Sequence, residues 1–161
     1  MNARTTRTLA AALSLTAALA ISGCSSDSDA KAGADKPKMT VSGAFMPEPV
    51  NDKMAGAFMV IKNESKTPDK LTAVTSPISD DLQIHETKDQ KMQQVAAMPV
   101  PANGELRLER GGSHVMLMGL KSTPKVGDKV TVELRFEKAD PVKVELDVKE
   151  RTYNAQNTSA H

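Results

Sequence analysis

The chain has 161 residues, 39% hydrophobic and 25% charged, with 21 Lys plus Arg set against 20 Asp plus Glu and no long run of either sign. Nucleic acid is therefore excluded as a partner, because its recognition leaves a basic patch or stripe in the sequence. One Cys rules out an internal disulfide, and with one Tyr, three Phe and no Trp the core must be aliphatic, helped by some of the nine Met.

At the N-terminus, Arg4 and Arg7 precede an apolar stretch from Leu9 to Ile21, and small residues lead to Cys24. These are the parts of an export signal. The stretch is about thirteen residues, short of the roughly 20 that span a bilayer, which argues against a permanent membrane helix. Its ending, Ile21-Ser22-Gly23-Cys24, resembles the lipobox of bacterial lipoproteins, in which Cys24 would be acylated and become the first mature residue. A free exposed thiol is a liability in an oxidising compartment, so lipidation accounts for Cys24 better than a soluble secreted protein does. Two or more acyl chains give stable anchoring, and the expected location is extracytoplasmic, lipid-anchored to the cell membrane.

Residues 24–38 follow as a flexible tether with no large apolar side chain after Cys24. The folded domain is expected over 39–150. Beyond it, 151–161 lose periodicity and read as a disordered tail.

Inside the domain the recurring signal is alternation of apolar and polar residues, the period of a strand. Candidate strands in chain order are 40–46, 54–62, 70–75, 81–87, 91–97, 105–109, 114–118, 130–136 and 142–148. The last two are the clearest: Val130, Val132, Leu134 and Phe136 alternate with polar residues, as do Val142, Val144, Leu146 and Val148, with Lys138-Ala139-Asp140-Pro141 as the turn between them. Other turns lie at Lys62-Asn63-Glu64-Ser65, Pro101-Ala102-Asn103-Gly104, Gly111-Gly112-Ser113 and 124–128. About nine short strands and no long helix predict an all-β Greek-key sandwich or barrel.

Two histidines fall inside predicted strands. Leu82 and Ile84 share one face, so His85 points to the other; Val115 and Leu117 share one face, so His114, Met116 and Met118 line the opposite one. On this strand alone, Met as flexible core filler with His114 as a satisfied polar group is the commoner arrangement. A second pair strengthens the metal reading: a two-residue turn at Lys88-Asp89 would set Met92 directly opposite His85, with Cβ atoms about 5 Å apart.

Two imidazoles and two thioethers suit copper, Cu(I) most of all, and match calcium, magnesium or manganese poorly. Structural zinc and blue-copper sites draw on Cys thiolate, which the domain lacks.

The chain resembles the periplasmic copper chaperones called PCu(A)C over about 40–149. That family carries a pattern of His, ten residues, Met, twenty-one residues, His, one residue, Met. Here Met92, twenty-one residues, then His114-Val115-Met116 fits its end, and Leu117-Met118-Gly119-Leu120 continues it. Ala55-Gly56-Ala57-Phe58 through Asn63, Pro101-Ala102-Asn103-Gly104 and Gly111-Gly112 are also similar to the family. The first interval departs: six residues, not ten, separate His85 from Met92, as if a hairpin had lost four, a change that keeps each ligand on its face.

The resemblance implies a cupredoxin-like β fold and a metal site of His85, Met92, His114 and Met116, with Met98 as the alternative to Met92. It implies an extracytoplasmic chaperone that is not an enzyme, taking Cu(I) from a donor protein and passing it to acceptors such as the copper centres of cytochrome c oxidase or its assembly factors. The rival readings are a metal-free lipoprotein β-sandwich acting as a binding module, and a hydrolase, which no nucleophile motif supports. His161 is at most an extra ligand from the tail.

Overall fold

A computed structural model describes residues 36–155; the export signal, Cys24, most of the tether and residues 156–161 with His161 lie outside the described residues. Ten strands follow in order: β1 (Met39–Pro47), β2 (Met54–Asn63), β3 (Asp69–Thr75), β4 (Asp81–Lys88), β5 (Lys91–Val95), β6 (Met98–Val100), β7 (Glu105–Leu108), β8 (His114–Met118), β9 (Lys129–Phe136) and β10 (Val142–Lys149). The fold is all-β, as the alternation predicts, with one strand more than the sequence pattern suggests. The segment 91–97 is not a single strand. Val95 and Met98 both turn toward the core although they are three residues apart, which period two forbids within one strand, and a bend at Ala96 moves the chain from β4 to β3 as partner.

The strands form one open hydrogen-bonded path, β5-β4-β8-β2-β1-β10-β9-β3-β6, with β7 also paired to β2. β2 carries the path from one layer to the other: Met54–Ala57 pair with β8, while Phe58 onward pairs with β1 and, further along, β7. Between the layers lies a single aliphatic core that includes Ile61, Leu71, Ile84, Val115, Leu117, Leu134 and Leu146. The predicted alternation of the last hairpin holds, with Val130, Val132, Leu134, Val144, Leu146 and Val148 all buried. Truncating a buried Leu such as Leu117 to Ala costs about 2–5 kcal/mol. The inner face of β8 therefore decides folding, and its outer face is free to carry chemistry.

One irregularity shapes that outer side. Between Ser42 and Phe45 the register of β1 gains a residue against β2, and Gly43 takes φ +59°, a left-handed conformation open to glycine. The bulge switches which β1 residues face inward, from Met39 and Val41 before it to Ala44 and Met46 after it. Phe45 is thereby sent outward beside Phe58, with ring centroids 5.2 Å apart. Tyr153, which the sequence assigns to the tail, stacks edge-on against Phe45 at 4.8 Å, so the chain stays packed on the sheet to at least that residue.

Two of the buried polar residues serve the fold. Asp69 accepts the backbone N–H groups of Lys70, Lys138 and Ala139, and Asn63 bridges Thr67, Ser65 and Val100. With their partners satisfied, neither calls for a ligand.

Candidate metal centre

The outer face of β4, β8 and β2 is a grid set by register. His85 lies directly opposite His114, Gln83 opposite Met116 and Asp81 opposite Met118; on the other flank Gly56 faces Met116 and Met54 faces Met118. Side chains directly opposite one another in a ladder share a face. The core side holds Leu82, Ile84, Val115 and Leu117, so both histidines and Met116 point away from it, as the alternation predicts.

The two imidazole centroids are 5.5 Å apart. Phe58 closes one side of the pair, 6.2 Å from His114, with the Arg110 guanidinium 5.9 Å above its own ring. Gly56 makes room for this arrangement: a Cβ there would meet the tip of the Phe58 ring at 3.1 Å. His114 is consequently buried, 7% exposed, while His85 and Met116 are half-buried.

Hydrogen bonding fixes the tautomers. His114 Nδ1 lies 3.0 Å from the Gly112 carbonyl, which can only accept, so Nδ1 carries the proton and Nε2 keeps its lone pair. Along β4, Gln83 Nε2 donates to both Asp81 carboxylate oxygens at 3.1 and 3.3 Å, which turns Gln83 Oε1 toward His85 Nε2 at 3.0 Å. His85 Nε2 is therefore the donor and Nδ1 the bare nitrogen. That Nδ1 is buried without a hydrogen-bond partner. An unpartnered buried acceptor costs about 1–3 kcal/mol, and a metal ion would satisfy it.

Burial pushes the His85 imidazole below its ordinary pKa, and the facing His114 pushes it in the same direction. The neutral form, which alone can bind a metal, is thus favoured at neutral pH.

Met92 needs a correction of register. The hairpin turns at Asp89 and Gln90, with φ 50° and 62°, rather than at Lys88-Asp89. Two successive left-handed residues suit the twist of a two-residue hairpin. Met92 is then opposite Thr87, and Gln94 is opposite His85. Because the displacement is two residues, Met92 keeps the face of His85 but lies diagonal to it, about 7–8 Å between Cα positions, and is 60% exposed. Met98 is not an alternative: it is 2% exposed in the core and pairs with Leu71 in the other layer.

Among the described residues no three His, Cys, Asp or Glu gather into a cluster. Two neutral imidazoles with thioethers nearby can hold a soft monovalent ion. The sequence reading missed Gln83 and Asp81, because polar residues alternating on an exposed strand face carry no signature of their own. Arg110 and Phe58 were likewise not assigned to the site.

A family model described as "Putative lipoprotein LpqE-like" matches residues 39–148. The "Putative lipoprotein Lxx21020" of Leifsonia xyli subsp. xyli is 33% identical over 155 residues, covering 91% of this chain and 93% of the relative. Among solved structures, CuI-DR1885 from Deinococcus radiodurans superposes with a TM-score of 0.63 at 34% identity, covering 76% of this chain and 85% of that one. A copper-bound PCuAC domain from PmoF2 does so with a TM-score of 0.64 at 25% identity, covering 71% and 95%.

Proposed function

This chain belongs to the LpqE-like family of lipoproteins, of PCuAC type, and from that premise we propose that it is an extracytoplasmic copper chaperone that binds Cu(I) through His85, His114, Met116 and Met92. The observation that carries the reading is the opposed histidine pair, one member of which holds a buried, unpartnered Nδ1. Two relatives with the same fold are described as copper-bound or CuI-bound, which supports copper as the cargo.

His114 presents Nε2 and His85 presents Nδ1, each held by a hydrogen bond at its other nitrogen. Met116 supplies a soft thioether from the same face of β8, and exposed Met92 closes the site from β5. No covalent bond is made or broken in the cargo's passage. Copper stays Cu(I), and transfer proceeds by exchange of ligands, the thioethers being replaced one at a time by those of an acceptor. The graded exposure suits this: Met92 faces solvent and is the ligand most easily given up, while His114 is buried.

The lone Cys24 and the lipoprotein relatives support an acylated anchor that keeps the domain on the outer side of the cell membrane. The proposed acceptors are the copper centres of cytochrome c oxidase or proteins that assemble them.

X-ray absorption of the Cu(I)-loaded protein tests the ligand set. Mixed nitrogen and sulfur scattering is expected, with the nitrogen contribution reduced in His85→Ala. A spectrum with sulfur alone, or one unaltered by that substitution, would overturn it.

A further inference from the structure

The methionines are sorted. Of the nine in the chain, Met39, Met46, Met59 and Met98 are buried in the core, whereas Met54, Met92, Met116 and Met118 stand on the outer face of the β5-β4-β8-β2 layer. Core filling explains the first group. It does not explain Met54, which is 48% exposed, or Met118, which is half-buried on the face turned away from the core.

Met54 and Met118 are directly opposite on β2 and β8, a relation that sets Cβ atoms about 5 Å apart. Met116 lies two residues along the same face of β8, about 7 Å away. Gly56 brings no side chain between Met54 and Phe58 on β2, and the Phe58 ring tip bounds the group there. On the β4 side Asp81 is opposite Met118 in register, with its carboxylate taken up by the Gln83 amide. Three flexible thioethers on one face make a soft place for a monovalent cation, with no imidazole in it.

We propose that Met54 and Met118, together with Met116, form a second and weaker Cu(I) subsite adjoining the histidine pair. The proposal rests on the reading of His85, His114 and Met116 as the first site. Met116 is the shared ligand: it holds the ion while the imidazoles leave and the thioethers of Met118 and Met54 enter. The ion remains Cu(I) throughout, the donors are neutral sulfurs, and no electron or proton need move. This subsite extends the path of the ion along the face away from Met92, so that donor and acceptor can engage opposite edges of the patch.

The test uses the full chain with Cys24→Ser, so that its thiol cannot take Cu(I), and with the methionine methyl groups labelled with carbon-13. Successive additions of Cu(I) are followed by NMR, and release to a chromophoric chelator is timed by stopped flow. The first equivalent is expected to move the Met116 methyl and the two imidazole rings, and the second to move Met54 and Met118. In Met54→Leu/Met118→Leu the second event disappears, the first affinity stays within about twofold, and release slows roughly tenfold or more. Unmoved Met54 and Met118 methyls at two equivalents, or release at the wild-type rate from the double variant, overturns the subsite and leaves the first site standing. Uptake of the first equivalent by Met54 and Met118 with the imidazoles unmoved overturns both the order of sites and the histidine reading.

Discussion

Gln83→Leu isolates what the Asp81–Gln83–His85 chain does for the metal. In the native site Gln83 Oε1 holds His85 Nε2 at 3.0 Å, while its amide nitrogen is fixed by Asp81 at 3.1 and 3.3 Å. Leucine keeps the bulk of the strand face and removes both contacts, leaving the imidazole free to rotate and its Nδ1 no longer fixed in place. Hydrogen-bonding partners behind a metal-ligating His contribute about 10–100-fold in affinity, so Cu(I) binding is expected to weaken by that factor, about 1.4–2.7 kcal/mol. Folding stability changes much less, by about 1 kcal/mol or under, since Gln83 is half-buried and its bonds are near solvent. Gln83→Glu restores the acceptor for Nε2 but not the donor to Asp81, and should recover part of the affinity at pH 7.5. The assay is competition for Cu(I) with a chelator, run beside thermal unfolding. A Gln83→Leu protein that binds within twofold of wild type would refute the idea that this side chain orients His85.

Because burial holds the His85 pKa below its ordinary 6.5, the unfolded chain takes up this proton first as pH falls; the stability linked to His85 is full above about 6.5 and is lost as pH drops toward the folded value. Cu(I) affinity has the same sign, steady through neutral pH and falling in acid; an affinity unchanged from pH 7.5 to 5 counts against both histidines. Met92→Leu should leave thermal stability unaltered at its 60% exposed position and weaken Cu(I) binding by about tenfold, whereas Met98→Ala should cost about 2–5 kcal/mol of stability and leave affinity alone. The reverse pattern would return Met98 to the site. Cys24→Ala should release the protein from the membrane fraction of its own cells, and continued retention would argue against acylation as the anchor.

The strand period makes much of this site legible in the sequence alone. Val115 and Leu117 fixed the faces of β8, and Leu82 and Ile84 those of β4, because a buried inner row leaves the opposite row no choice. What alternation cannot supply is which strand lies beside which. The facing of His85 and His114 depends on the non-local pairing of β4 with β8, twenty-nine positions apart in sequence, and nothing in either segment encodes it. The Met92 register rested on choosing one turn among even-length ones, and Asp89-Gln90 is not a pair that advertises two left-handed residues. Met98 is a ligand candidate by sequence because a thioether looks the same in core and site; only burial separates them. A signal was available for the β1 bulge, since an isolated Gly inside a strand pattern marks one. Reading Gly43 that way turns Phe45 outward, away from the core row of β1.

The central claim is that the outer face of β8 binds copper through His114 and Met116 while its inner face holds the fold. Competitive titration of Cu(I) against a chromophoric chelator, with wild type beside His114→Ala and Met116→Leu and each checked by thermal unfolding, tests it most directly. Tight binding by the wild type is expected, with both variants folded and weaker by about tenfold or more; equal affinities in all three proteins would contradict it.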